Sequence, residues 1–140
     1  MKKSTEELLQ LLKKSDTLDH YIESASDDLI ETSIGKELSV LVNQSGKKPA
    51  EIFRRASIEK SYGYDIISGK RTPSRSKVLC ILFGLSYSLS DTQKLLKRTG
   101  YPPLYPKNIR DSVIMFCLER SISLSDCNET LYDMGLELLE

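Results

Sequence analysis

Two short stretches place a serine three residues before a lysine, Ser57-Ile58-Glu59-Lys60 and Ser74-Arg75-Ser76-Lys77. That spacing suits a serine nucleophile whose proton passes to a lysine amine, as in serine–lysine acyl transfer. The S-D-N and K-T-G companions of such a site are missing, and so short a pattern arises by chance. Gly63 and Gly69-Lys70 outline a phosphate loop, but five residues separate the glycines where such a loop has four. Arg71 also stands where a Ser or Thr hydroxyl would hold magnesium, and no strand pattern precedes it. His20 lies near Asp16 and Asp19, which reads as an exposed helix histidine beside acids. Cys80, Cys117 and Cys127 form no C-x-x-C pair, so they read as reduced core thiols and not as zinc ligands. The chain is expected to be no enzyme, to hold no metal and to need no cofactor.

Charge says more. Lys+Arg and Asp+Glu number 20 each, a formal net charge of zero, which excludes a basic protein that coats nucleic acid. The distribution is uneven, however. Residues 1–46 carry a net −4 and residues 78–140 a net −2, whereas residues 47–77 hold nine bases against three acids, a net +6. That basic segment contains two short helical patterns joined by a tight turn. A short helix, a turn and a second short helix in a local positive field are what a reader of the DNA major groove requires.

The elements that must position these groups are helical throughout, because apolar residues recur at three- and four-residue spacing. Ser4-Thr5-Glu6-Glu7 opens a helix over residues 4–14 with Leu8, Leu9, Leu11 and Leu12 as its stripe, and a shorter turn follows around Leu18, Tyr21 and Ile22. The acidic segment 24–28 reads as the cap of a longer helix carrying Ile30, Ile34, Leu38, Leu41 and Val42, closed by Ser45-Gly46. Pro49 suits the first position of a short helix bearing Ile52, Phe53 and Ala56, and a second runs over residues 59–68. Pro73-Ser74 starts a helix with Val78, Leu79, Leu82 and Phe83 inward, and Ser90 with Gln93 forms a capping box for another that stops at Gly100. Prolines 102, 103 and 106 make a stiff connector. Asn108 caps a helix with Ile109, Val113, Phe116 and Cys117 inward, and Ser125-Asp126 opens a last one with Cys127, Leu131 and Met134. No internal repeat is evident. The expected organisation is an acidic helical extension over residues 1–25, a core domain over 26–100 and a C-terminal helical extension over 101–140. That last segment has more apolar positions than two isolated helices can bury, so it either docks on the core or forms a dimer face.

Residues 28–85 resemble the helix–turn–helix domain of the Cro- and lambda-repressor-like regulators, the XRE family. The resemblance is carried by Ile52, Phe53 and Ala56 on the first motif helix, Ser57-Ile58 at the turn and Ile66 on the second. It continues through Ser68-Gly69-Lys70-Arg71-Thr72-Pro73-Ser74 and the apolar run 78–85. Beyond that core the chain is similar to a bacterial subgroup with an acidic N-terminal helix, an L-L-K-R-x-G-Y segment (residues 95–101) and a P-L-Y-P segment (residues 103–106). The resemblance implies an all-α, lambda-repressor-like five-helix core with helical extensions at both ends. It implies sequence-specific binding of double-stranded DNA by a homodimer, and control of transcription. Glu59, Lys60, Ser61 and Tyr62 would then face base edges, with Lys60 donating to a guanine and Glu59 accepting from a cytosine amine. Arg54, Arg55, Lys70, Arg71 and Arg75 would contact phosphates, while the Tyr64 ring packs inward. The chain departs from the family pattern at Lys48-Pro49, where a hydroxyl cap and a Gln are usual, at Phe53, where Ala is usual, and at Ser57, where Gly is usual. Phe53 must therefore widen the helix crossing or turn into the core.

The alternative reading is a protein-interaction module that keeps the fold without reading DNA, its acidic arm either masking the basic face or answering a basic partner. The longest apolar run, residues 81–85, is far short of the roughly 20 residues that span a bilayer. The N-terminus lacks the apolar core of a secretion signal. A cytoplasmic protein is expected.

Overall fold

The computed structural model of the chain describes residues 3–25 and 33–140. Among them are nine helices and no strand: α1 (Thr5–Lys14), α2 (Leu18–Ser24), α3 (Ile34–Gln44), α4 (Pro49–Arg55), α5 (Lys60–Ile67), α6 (Arg75–Gly84), α7 (Leu89–Arg98), α8 (Ile109–Glu119) and α9 (Leu124–Asp133). The chain is all-α, as the periodicity predicts. No helix among the described residues is long and apolar enough to cross a membrane. The acidic cap expected at residues 26–28, the position of Ile30 and the expected domain start at residue 26 lie outside the described residues.

The chain divides into two units, Met1–Glu31 and Thr32–Glu140. In the first, Ser4 Oγ caps α1 by accepting the Glu7 N–H (3.1 Å) and Thr17 caps α2 through the His20 N–H (3.1 Å). Neither helix buries a residue.

The second unit is built around α6. Val78 to Gly84 are all buried, and a helix apolar on every side belongs at the centre of a core. The expected inward set was too narrow here, since Cys80 and Ile81 are buried as well. α4 lies against α6 and α5, α3 packs on α4 and α5, and α8 and α9 close the other side through α7 and α6. One continuous cluster runs from Ile34 to Leu139, so the C-terminal helices dock on the core. Gly84 makes the α4–α6 approach possible: a Cβ there would sit 2.6 Å from the Ile52 carbonyl oxygen.

Several local expectations need correction. Ser88, not Ser90, caps α7, and Ser123, not Ser125, caps α9, each accepting the N–H three residues on at 3.1 Å. Pro73 precedes the Ser74 cap and is not the first helical residue. Ile109, Phe116 and Met134 are half-exposed instead of inward. α8 has apolar residues on more than one face, and the core covers only the face bearing Val113, Ile114, Cys117 and Leu118.

The structure also reveals a repeat where the sequence alone showed none. Residues 75–105 and 110–140 correspond at an offset of 35, most visibly as Ser88-Leu89-Ser90-Asp91 and Ser123-Leu124-Ser125-Asp126, with Gly100 matched by Gly135. The Gln93 side-chain amide exchanges two hydrogen bonds with the Leu104 backbone (2.8 and 2.7 Å), and Asn128 does the same with Leu139 (3.0 and 2.7 Å). Arg75 reaches the carbonyls of Pro102 and Pro103, and Arg110 those of Glu137 and Leu138. Helices α6 and α8 share only Arg75/Arg110 and Val78/Val113 at that offset, so the similarity concentrates in the capped block.

Candidate nucleic-acid interface

The turn between α4 and α5 is closed by backbone bonds. Ser57 adopts a left-handed φ of 54°, and the Ile58 N–H then donates to the Phe53 carbonyl five residues back (2.8 Å). Serine here takes the conformation usually given to glycine. Phe53 turns into the core and is fully buried. The room it occupies is that left by Gly63 on α5, where a Cβ would lie 2.6 Å from the ring. Phe53 and Gly63 are thus complementary across the α4–α5 crossing.

On α5, positions spaced by three and four put Tyr62, Gly63 and Ile66 toward the core and leave Glu59, Lys60, Ser61 and Tyr64 outside. Lys60 is exposed. The Ser61 hydroxyl donates to the Glu59 carboxylate (2.8 Å), so these two expected base-contacting residues are tied together. The tyrosines reverse their expected roles. Tyr64 meets Phe53 edge-on at 5.3 Å but stays 40% exposed, while Tyr62 is the half-buried ring.

Tyr62 gathers cations. The Arg71 guanidinium lies 5.1 Å from its ring centroid and the Lys77 ammonium 5.5 Å, within the range of a cation–π contact. Arg71 also pairs with Asp65 (3.4 Å), and its N–H donates to the Asp65 carbonyl (3.1 Å), which fixes the loop after α5. Lys70 beside it is exposed. Lys77 was not among the expected contacts; its spacing three residues after the Ser74 cap marked it as a first-turn residue, but only the fold sets it over Tyr62. At the end of α4, Arg54 is exposed and Arg55 pairs with Glu51 one turn back (3.0 Å).

Arg75 is placed apart from this group. Its Nε and Nη2 donate to the Pro102 and Pro103 carbonyls, and its Nη1 and Nη2 grip the buried Asp111 carboxylate at 3.2 and 2.9 Å. Burial alone would raise the Asp111 pKa, but the Arg75 hydrogen bonds and the Tyr105 N–H outweigh it and hold the carboxyl below its ordinary value. This guanidinium is occupied in fastening the proline connector to α6 and α8.

No group of three or more His, Cys, Asp or Glu side chains among the described residues could hold a metal ion. Cys80, Cys117 and Cys127 are buried and unbridged. Desolvation pushes the Cys80 thiol up to about 11 and that of Cys127, beside Cys117, up to about 12. Comparison of the chain with family models, with curated proteins and with solved structures finds no match.

Proposed function

We propose that α4 and α5 form a helix–turn–helix that reads double-stranded DNA, within a lambda-repressor-like five-helix core of α3 to α7. The observation that carries this reading is the coincidence of the two short helices with the +6 segment, in which Lys60 and Lys70 are exposed and Arg71 and Lys77 line the Tyr62 ring. α5 is the recognition helix, and Lys60, Ser61 and the Glu59 paired to it are its groove-facing side chains. Tyr62 braces Arg71 and Lys77, which with Lys70, Arg54 and Arg55 contact phosphates. Arg75 is left out of that set because its donors are spent inside the fold. A reader this small gains specificity by two-fold pairing on a palindromic site, so a cytoplasmic homodimer that controls transcription is the proposed working form.

Fluorescence anisotropy with mixed duplex DNA across a salt series tests this. Log affinity falls linearly with log salt, and the K70A/R71A variant lowers the slope by about 2. A chain that leaves DNA unbound at low salt is instead a protein-interaction module on the same fold.

A further inference from the structure

Arg75 and Arg110 are counterparts in the internal repeat, and their guanidinium groups make the same backbone contacts. Nε donates to the carbonyl of Pro102 in one and of Glu137 in the other, both at 2.8 Å. Nη2 donates to the carbonyl of Pro103 or Leu138, both at 3.0 Å. Arg75 then holds a carboxylate: Asp111 accepts from its Nη1 and Nη2, and the Tyr105 N–H completes the seat at 2.9 Å. At the same offset the counterpart of Tyr105 is Glu140. Among the described residues no carboxylate pairs with Arg110.

We propose that Arg110 and the backbone of residues 137–140 form a second carboxylate-binding seat, which takes an acidic side chain from the first turn of a partner protein's helix. The guanidinium fork suits a carboxylate bidentately. The helix requirement comes from the occupied seat. Asp111 is the third residue of α8, its N–H capped by Asn108 Oδ1 at 2.9 Å, so a helix N-terminus delivers the carboxylate at a fixed angle. An acid is also favoured at that end of a helix. The proposal does not depend on DNA binding.

The test uses the isotope-labelled full chain and a blocked peptide of residues 105–119 carrying C117S. Nuclear magnetic resonance should show shifts at the Arg110 Nε–H and the amides of residues 138–140. Binding should weaken at least tenfold for a D111N peptide. It should weaken as much for the R110K chain, which keeps the charge but loses the fork, circular dichroism verifying that this chain is folded. Absent shifts, shifts centred on Arg75, or equal binding by either variant would overturn the proposal.

Discussion

Phe53 and Gly63 face each other across the α4–α5 crossing, and the ring fills the volume a side chain at position 63 would need. G63A brings opposing effects into one experiment. Alanine favours the helix by about 1 kcal/mol over glycine, but its Cβ would stand 2.6 Å from ring atoms, and overpacking typically costs about 1–3 kcal/mol. The overlap wins, because the ring is fully buried and has nowhere to move. G63A should destabilise the chain, whereas the same change in an F53A background should not. Urea unfolding of the four-member cycle measures this coupling. Additive effects would mean that Phe53 and Gly63 do not depend on one another.

Three helices end on a serine with left-handed backbone: Ser57, Ser86 and Ser121, with φ of 54°, 52° and 55°. In each case the next N–H returns to the carbonyl five residues back, from Ile58 to Phe53, Tyr87 to Leu82 and Ile122 to Cys117. The Cβ strain of that conformation is roughly 1–2 kcal/mol, and glycine relieves it while adding entropy to the unfolded chain. Each of S57G, S86G and S121G should therefore gain about 0.5–1 kcal/mol in thermal or urea unfolding. Loss of stability in all three would show that the serine hydroxyls contribute something the backbone account omits.

The Arg75–Asp111 pair should dominate the acid limb of the stability curve. Asp111 has a depressed pKa in the folded chain, so its contribution is present above the unfolded value near 3.8 and is lost as pH falls through the folded value. R75A leaves a carboxylate that is 10% exposed without its partner. A fully buried pair broken this way costs about 3–5 kcal/mol. Arg75 keeps 24% of its side chain exposed, so about 2–3 kcal/mol at neutral pH is expected after allowing for solvent. The gap between the two proteins should close as pH falls through the depressed folded value and Asp111 becomes protonated in both. A gap that persists unchanged into acid would assign the effect to lost packing.

How much of this was legible beforehand differs by residue. Pattern alone located the caps Ser4 and Asn108 and the stiff proline connector, because each follows from local chemistry, whereas for Phe53 the sequence left both a wider helix crossing and a turn into the core open. The neighbour that makes room for Phe53 was not legible, since Gly63 is ten positions away and meets it only when α4 and α5 cross. Phe116 and Ile109 were assigned inward because α8 is apolar on several sides, and periodicity does not say which side is covered. Arg75 looked like a phosphate contact from its place among bases; its acid lies 36 residues on, and only the fold brings them together. Lys77 likewise meets the Tyr62 ring, fifteen positions earlier, only once the fold is formed.

Thr92 carries a hydroxyl that is fully buried and without a hydrogen-bond partner. Its counterpart in the repeat is Cys127, also fully buried. An unsatisfied buried hydroxyl costs about 1–3 kcal/mol, so T92C, which carries the solution already used at position 127, should raise stability by about 1 kcal/mol. Denaturant midpoints decide this, and a destabilised T92C would mean that the hydroxyl finds a partner in solution.

Lys60 and Lys70 separate specificity from affinity. Lys60 sits in the first turn of α5 with its side chain exposed, whereas Lys70 lies in the loop that Arg71 and Asp65 pin down. If α5 lies in the major groove, K60A removes a donor to a base edge. It should cost about 1–3 kcal/mol on a selected duplex and much less on a mixed one, flattening preference at one base pair. K70A should weaken binding to every duplex alike and lower the salt slope by about 1. Sites selected from random duplexes supply the first substrate and mixed duplex the second. Two variants that behave identically on both would place Lys60 on the backbone as well, and α5 would then not be the element that reads sequence.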